Sequence, residues 1–380
     1  MKRVAVLGGG PAGAYAAEIM ASAGVKVTLY DEKLAWEKPC GGGVTFKAYH
    51  QYPFLAENSS PKNFVRTTHL SYQPAGDVRM ELDQAILIYS RNELNKLMLE
   101  RASKAGAQIE KTRVLELTRR EKGWSIRTKH GVADAEFCVI ATGARNALAG
   151  TGTEFKASDT MVALGYFVEG EHPRIDVEFL TGAPGYIWVF PRRGHLSIGI
   201  GGKGASAQQF RARLEQYMDD HGFRYKGAEF YAHKLPSLGA DSFRGNRISG
   251  DGWLAVGDAA GLVDPITGEG IYYAIRSGDF AAHCIISGKP EAYRPLVVKD
   301  FMDDLTFGAR ISNRVYSGRF LGAPIPARTI QFTRRSPMFR GLIQDLFAGT
   351  QDYGTLKARL FGGLGKTLRQ VAWSYVSQPS

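Results

Sequence analysis

Three groups of residues in this chain combine types and spacings that could do chemistry. The first begins with Gly8-Gly9-Gly10-Pro11-Ala12-Gly13. There, Gly8 permits a tight turn, Gly10 lets backbone approach a pyrophosphate, and Gly13 lets a helix pack closely on the preceding strand. Asp31, about 20 residues further on, can accept hydrogen bonds from an adenosine ribose, and Glu32 and Lys33 adjoin it. Gly257-Asp258-Ala259-Ala260-Gly261 offers a carboxylate on a tight turn, suited to a sugar-alcohol hydroxyl such as ribityl. Pro265-Ile266-Thr267-Gly268-Glu269-Gly270-Ile271 then opens a helix, whose amides and dipole can face negative charge at the pyrimidine end of a flavin. Arg91 can neutralise diphosphate charge.

The second group is Lys38-Pro39-Cys40-Gly41-Gly42-Gly43-Val44, a cysteine in a glycine run that lets backbone approach a large flat group without Cβ clashes. A plain structural turn is the competing account of the same residues. The third is Gly185-Tyr186-Ile187-Trp188-Val189-Phe190-Pro191. In a strand, Tyr186, Trp188 and Phe190 share one face and Ile187 and Val189 the other. The aromatic face can be a wall for a long hydrocarbon, or an ordinary core stripe.

These groups need elements to hold them. Arg3 to Leu7 reads as a buried strand, Ala14 to Ala23 as a helix ended by Gly24, and Val25 to Tyr30 as a second strand closing on Asp31. Lys2 and Arg3 before an apolar stretch resemble a signal peptide, but glycines interrupt that stretch and no cleavage site follows. Arg91 to Met98 has helical spacing, Val114 sits in a strand, and Val139 to Gly143 is a buried strand ending in the turn Ala141-Thr142-Gly143. From Met161 to Gly202, short alternating runs predict an antiparallel sheet.

At 380 residues and 44% hydrophobic content the chain is long enough for two cores. No apolar run approaches a membrane span. Cys40, Cys138 and Cys284 have neither paired nor metal-like spacing, which points to a reducing compartment and to no bound metal. The net charge of +11 is concentrated from Gly308 onward, where eleven basic residues face only two acidic ones, Asp345 and Asp352. Phe320, Phe332, Phe339, Phe347, Phe361 and Trp373 are interleaved with them. This composition suits an anionic membrane surface or an acidic partner, with ordinary solvated helices as the alternative. No nucleic-acid recognition module is visible.

The ordered set of glycine turn, Asp31, Arg91, Ala-Thr-Gly, Gly-Asp-Ala-Ala-Gly and Pro…Gly-Glu-Gly-Ile resembles the FAD-dependent family of aromatic hydroxylases and geranylgeranyl reductases. Pro-Cys-Gly-Gly-Gly and Tyr-x-Trp-x-Phe-Pro are similar to the geranylgeranyl reductase branch. The resemblance implies FAD, held by Gly8, Gly10, Pro11, Ala12, Gly13, Asp31, Glu32, Lys33, Gly41, Gly42, Gly43, Val44, Arg91, Val114, Ala141, Thr142, Gly143, Gly257, Asp258, Pro265, Gly268, Gly270 and Ile271. It implies Cys40 as the catalytic residue and Tyr186, Trp188, Phe190 and Pro191 as the contacts of a prenyl substrate. The reaction it implies is saturation of prenyl double bonds on a lipid, quinone or tetrapyrrole, with NADPH or reduced ferredoxin as donor. A monooxygenase acting on an aromatic or polyketide-like substrate is the alternative. A halogenase fits poorly, because its expected Trp-x-Trp-x-Ile-Pro segment is not found. Two features depart from common relatives: Thr142 stands where many have Asp, and Gly42 where archaeal members carry Glu.

The expected fold is α/β. A discontinuous Rossmann-like FAD-binding domain covers 1–65, 84–158 and 245–305, with an inserted antiparallel-sheet substrate domain over 66–83 and 159–244. A basic helical region follows over 306–380. The expected location is cytoplasmic, with peripheral membrane association as the alternative.

Overall fold

The computed structural model describes residues 3–148 and 150–377, without the side chains of 364 and 372–377. Lys2 and the side chain of Trp373 lie outside the described residues. The chain forms two compact units, one of residues 1–38, 91–160 and 234–309, the other of 39–90, 161–233 and 310–380.

The first unit is built on a six-stranded sheet in the order Ser249–Gly250, Trp253–Ala255, Phe137–Ile140, Arg3–Leu7, Lys26–Asp31, Gln108–Lys111. All pairings are parallel except that of the edge strand Ser249–Gly250. Val4 to Leu7 and Cys138 to Ile140 are buried, as strands covered on both faces require. Helix Pro11–Ser22 starts directly after the first strand, and its proline stands at the first helical position, where no amide partner is needed. Helix Ile271–Ile286 packs against it, and Gly278 is what permits this, because a Cβ there would run into the Ala12 carbonyl. A three-stranded antiparallel sheet, Val114–Arg120, Gly123–Thr128 and Gly131–Ala135, is carried on the same unit.

The second unit is an eight-stranded sheet in the order Glu229–Pro236, Thr160–Glu169, His195–Gly202, Gly185–Arg192, Ile175–Phe179, Lys62–Tyr72, Gly76–Tyr89, Gly43–Val44. One face is covered by helix Ala207–Asp220, whose Phe210, Leu214 and Met218 pack on Leu164, Ile187, Val189, Ile198 and Ile200. The sheet is mixed rather than wholly antiparallel, because Ile175–Phe179 pairs parallel with Lys62–Tyr72.

The expected domain limits also shift. The boundaries placed at 65/66 and 83/84 fall instead after Lys38 and after Ser90. The reason is that Lys62–Tyr72 and Gly76–Tyr89 form one long hairpin, and Gly43–Val44 adds to its edge. From Arg310 onward the chain is part of the sheet unit and not a separate region. Arg334 Nε donates to the Asp77 carbonyl at 3.1 Å, Gln344 Nε2 to the Glu81 carbonyl at 2.7 Å, and Phe347 packs on the cluster of Val65, Leu82, Ile86, Ile88 and Ile175. Among the described residues no helix is long and apolar enough to cross a membrane.

Candidate active site

In the nucleotide unit, the expected residues gather at the carboxyl ends of the parallel strands, where open α/β sheets bind ligands. Gly8 has φ +119°, and a Cβ there would collide with the Ala141 carbonyl. A Cβ on Gly13 would strike the Gly8 carbonyl, whereas one on Gly10 would meet nothing within 4 Å. Turn and packing thus require two of the glycines, while the third leaves bare backbone facing open space beside a helix start without a side-chain cap. That arrangement fits a diphosphate. Asp31 does structural work as well: Oδ2 accepts from the Gly9 amide at 2.7 Å, and Oδ1 from Lys33 and Leu34 at 2.8 and 2.7 Å. A carboxylate has about four acceptor positions, so one remains for a ribose hydroxyl. Glu32 is exposed and faces Arg113 at 4.0 Å, and the Lys33 ammonium lies over the Trp36 ring at 3.8 Å. Val114 begins the small antiparallel sheet.

Arg91 gives the strongest sign of an anion-binding position. It opens helix Arg91–Lys104 and is only 4% exposed. Its amide donates to Glu37 Oε1 at 2.9 Å and its Nη2 to Asn95 Oδ1 at 3.1 Å, yet its Nε is buried without a hydrogen-bond partner among the described residues. A cation in the first turn also opposes the helix dipole. A buried guanidinium in this position is accounted for by an anion that the protein itself does not supply.

Asp258 sits in the 3₁₀ turn Gly257–Ala260, which ends on Gly261 in the left-handed conformation. The Gly257 amide donates to Ser277 Oγ at 2.9 Å, anchoring the turn to helix Ile271–Ile286. Lys38 Nζ lies 3.3 Å from Asp258 Oδ2, and a Cβ on Gly143 would lie 3.9 Å from the same ammonium. A Cβ on Gly270 would lie 3.4 Å from Asp258 Oδ1. The Ala141-Thr142-Gly143 turn, the Gly257-Asp258 turn and the start of helix Ile271–Ile286 therefore converge on one cluster centred on Lys38 and Asp258. Thr142 Oγ1 donates to Asn146 Oδ1 at 3.1 Å, so it braces its own loop. Asp264 Oδ1 accepts from Ile266 and Thr267 at 2.8 and 2.9 Å, and so shapes the Pro265–Gly270 turn.

In the sheet unit, the loop from Cys40 to Val44 is held by its backbone. Gly42 has φ +87°, and a Cβ on it would run into the Tyr89 carbonyl. Its carbonyl accepts from the Tyr89 amide at 2.9 Å, and its amide donates to Cys40 Sγ at 3.3 Å. Cβ atoms on Gly41 and Gly43 would each lie 3.0 Å from the Phe190 ring, so that ring lies against a side-chain-free stretch of loop. Gly43 and Val44 pair with Ile88 and Leu87. Gly41, Gly42, Gly43 and Val44 thus belong to the sheet unit.

Strand Gly185–Arg192 points Ile187 and Val189 into the core under helix Ala207–Asp220 and turns Tyr186, Trp188 and Phe190 to the opposite face. Tyr186 and Trp188 meet edge to face at 6.0 Å. Trp188 lies over Gly199 and Gly201 of the neighbouring strand, where a Cβ on Gly199 would strike its ring. Gly165, one strand further, is paired with Gly199, and a Cβ there would meet the Tyr231 hydroxyl at 2.5 Å. This glycine stripe makes room for flat rings on the face away from the helix. Pro191 is buried, and its carbonyl accepts from Asn63 Nδ2 at 3.0 Å, tying the end of the motif to strand Lys62–Tyr72.

Comparison with known proteins places the chain. Residues 2–164 match the pyridine nucleotide-disulphide oxidoreductase family. The chain is 33% identical over 319 residues to digeranylgeranylglycerophospholipid reductase 2 of Methanothermobacter thermautotrophicus, covering 75% of this chain and 79% of that one. The chain belongs to the geranylgeranyl reductase family. It is also 27% identical to the geranylgeranyl diphosphate reductase of Synechocystis, covering 75% of each. The geranylgeranyl bacteriochlorophyll reductase-like protein of Thermoplasma acidophilum shares the fold, at 23% identity and a TM-score of 0.78, over 95% of this chain and 98% of that one. As a family member the protein is an FAD-dependent oxidoreductase, and the open cradle at Gly10 and the buried Arg91 Nε fit that cofactor.

Sequence reasoning gave no role to four residues of these clusters: Lys38, Arg192, Ser197 and Tyr231. Alternation signals Arg192, since i+2 steps from Trp188 and Phe190 put a cation on the aromatic face. Lys38 stands two residues before Cys40 but carries no local sign of its bond to Asp258, 220 residues away. Ser197 and Tyr231 reach the motif only through strand pairing.

Proposed function

We propose that this member of the geranylgeranyl reductase family saturates isolated carbon–carbon double bonds in a prenyl chain carried by a lipid, quinone or tetrapyrrole. The observation that carries the reading is the seating of the Cys40 loop glycines against Phe190 of the Tyr-x-Trp-x-Phe-Pro strand. This joins the two motifs that distinguish the reductase branch on one sheet face. When bound and reduced, FAD supplies a hydride to one alkene carbon. A proton added to the other carbon completes the CH–CH bond.

The protein's residues bind and orient. Gly10, the start of helix Pro11–Ser22 and Arg91 hold the diphosphate, and Asp31 holds the adenosine ribose. Asp258, with Lys38 beside it, holds the sugar-alcohol chain. Ala141, Thr142 and Gly143 shape the adjoining turn, Pro265 and Gly268 shape the loop that follows Asp264, and Gly270 and Ile271 present amides to the ring. Val114 and the Gly41–Val44 backbone complete the set. Tyr186, Trp188 and Phe190 provide a rigid, apolar surface for the prenyl chain at low entropic cost, and Pro191, on the opposite face by alternation, ends the motif behind it. Cys40 touches the reacting alkene. An isolated alkene is a poor hydride acceptor, so close, dry apposition contributes more than acid strength.

NADPH or reduced ferredoxin supplies the electrons. The basic C-terminal region docks on an anionic membrane, where such lipids reside. Support for this comes from helix Tyr353–Ser377, which exposes Leu360, Phe361 and Leu368 close to Lys357, Lys366 and Arg369. Oxygen uptake tests the reaction class. A reductase consumes donor in strict anaerobiosis when a prenyl substrate is present, whereas substrate-stimulated oxygen consumption would assign a monooxygenase instead.

A further inference from the structure

Arg192 is 1% exposed and among the largest fully buried side chains of the protein. It directly follows the Tyr186–Pro191 motif, on the same face as Trp188 and Phe190. Its guanidinium points at the Cys40 loop: Nη2 donates to the Cys40 carbonyl, and Nε donates to the Gly41 carbonyl at 3.3 Å. Nη1 lies 3.4 Å from His195 Nε2, and the guanidinium carbon is 5.0 Å from the centre of the Phe167 ring, which makes a cation–π contact.

A second donor reaches the same carbonyl. Ser197 Oγ donates to the Cys40 carbonyl at 2.9 Å, lies 3.0 Å from the Tyr231 hydroxyl and accepts from Trp188 Nε1 at 3.5 Å. Ser197 has a single proton. With that proton on the Cys40 carbonyl, Tyr231 must donate to Ser197. Burial pushes Tyr231 up to about 12, against the lowering pull of the Ser197 bond and the Arg192 charge. The direction of the chain therefore runs from Tyr231 through Ser197 to a backbone carbonyl. A carbonyl cannot hand a proton onward, so this network fixes geometry and does not carry protons.

We infer that Arg192, seconded by Ser197 and Tyr231, is a positioning residue that locks the Cys40-Gly41 backbone and thereby aims the Cys40 thiol for double-bond reduction. The inference rests on the reading that Cys40 serves that reaction. Gly42 makes such a clamp necessary. With a left-handed backbone and no side chain, it is a permissive point in the loop, and its amide donates to Cys40 Sγ. The two captured carbonyls immediately before Gly42 remove that freedom. A lysine at position 192 keeps the charge but lacks the planar fork that reaches two carbonyls together.

The test compares Arg192→Lys, Ser197→Ala and the parent as FAD-loaded full-length protein. Three quantities are read: FAD content, steady-state reduction of a prenyl diphosphate with dithionite, and the rate at which iodoacetamide alkylates Cys40, followed by peptide mass. Cys138 and Cys284 are buried, so Cys40 dominates the labelling. Displacing a reacting group by about 1 Å can cost on the order of a hundredfold in rate. Arg192→Lys is accordingly expected to lower kcat roughly tenfold or more, with KM changing less. FAD content should be unchanged, and Cys40 labelling should quicken several-fold as the loop loosens. Ser197→Ala, which removes one small donor, should move kcat and labelling in the same directions by less and tests the clamp if Arg192→Lys does not fold. Unchanged kcat, or labelling that is unchanged or slower in a folded variant, would overturn the inference. Full reduction by Cys40→Ala would instead overturn the parent reading, and the labelling result at Arg192 would still stand or fall separately.

Discussion

Replacing Arg91 with Met should separate FAD binding from folding. Arg91 donates a side-chain hydrogen bond to Asn95, while its Nε is buried without a partner among the described residues. Losing this bond leaves the buried Asn95 Oδ1 without its donor and costs about 1–3 kcal/mol, and relieving the unsatisfied Nε returns about 1–3 kcal/mol. Removing a cation from a helix N-terminus adds roughly 0.3–1 kcal/mol in favour of the variant. The terms nearly cancel, and the sum predicts apoprotein about as stable as the parent. With FAD the sign reverses. A hydrogen bond from a charged donor contributes about 1.5–3 kcal/mol, which at 1.4 kcal/mol per decade corresponds to FAD affinity weaker by about 10- to 150-fold. At a fixed excess of FAD the ligand-dependent stabilisation falls by the same free energy. Titration of apoprotein with FAD by flavin fluorescence gives the affinity, and thermal melts with and without FAD give the two stabilities. Unchanged FAD affinity would refute the assignment, as would a loss of stability in the apoprotein equal to that in the loaded protein, since Arg91 would then be a structural residue.

Three further predictions follow from the packing and charge. Trp188→Ala, which removes a buried ring lying over Gly199 and Gly201, should destabilise the sheet unit by about 3–5 kcal/mol. It should also raise KM for long prenyl substrates more than for short ones; equal effects on both would reject the hydrocarbon wall. Burial raises Tyr15 and Tyr231 to about 12 from 10.0 and Cys138 to about 12 from 9.0, so folding favours their neutral forms. That contribution is complete below pH 9 and is lost as pH rises to about 12, because the unfolded chain ionises first. Melting temperature should therefore fall steadily from pH 9 upward, and a flat profile to pH 12 would contradict these burials. Lys357→Gln with Lys366→Gln and Arg369→Gln should weaken binding to phosphatidylserine vesicles and flatten its salt dependence. Vesicle binding indistinguishable from the parent would leave these side chains as an ordinary solvated face.

Much of the nucleotide unit was legible because its constraints are local. Gly8, Gly10 and Gly13 occupy fixed offsets along one strand-turn-helix, and the strands Arg3–Leu7 and Phe137–Ile140 show their burial as continuous apolar runs. The sheet unit was harder to read, since its identity depends on pairing partners far apart in sequence. Nothing near Ile175–Phe179 announces a parallel partner at Lys62–Tyr72. Likewise, no local pattern assigns Pro39 to Ser90 to the sheet, because the hairpin is delimited by long-range pairing and not by composition. The basic C-terminal helices read as a separate region on charge, yet Phe347 and Arg334 bind them to the sheet. Cys40 and the Tyr186–Pro191 motif were visible as motifs, whereas Arg192 required the strand register to be seen as their clamp.

The most direct test of the proposed reaction is mass analysis of a prenyl lipid after anaerobic incubation with the FAD-loaded, dithionite-reduced protein. Double-bond reduction predicts product two mass units heavier for each bond saturated, formed as the flavin reoxidises without oxygen. A prenyl lipid of unchanged mass beside fully reduced flavin, or a product sixteen units heavier that forms only once oxygen is admitted, would contradict it.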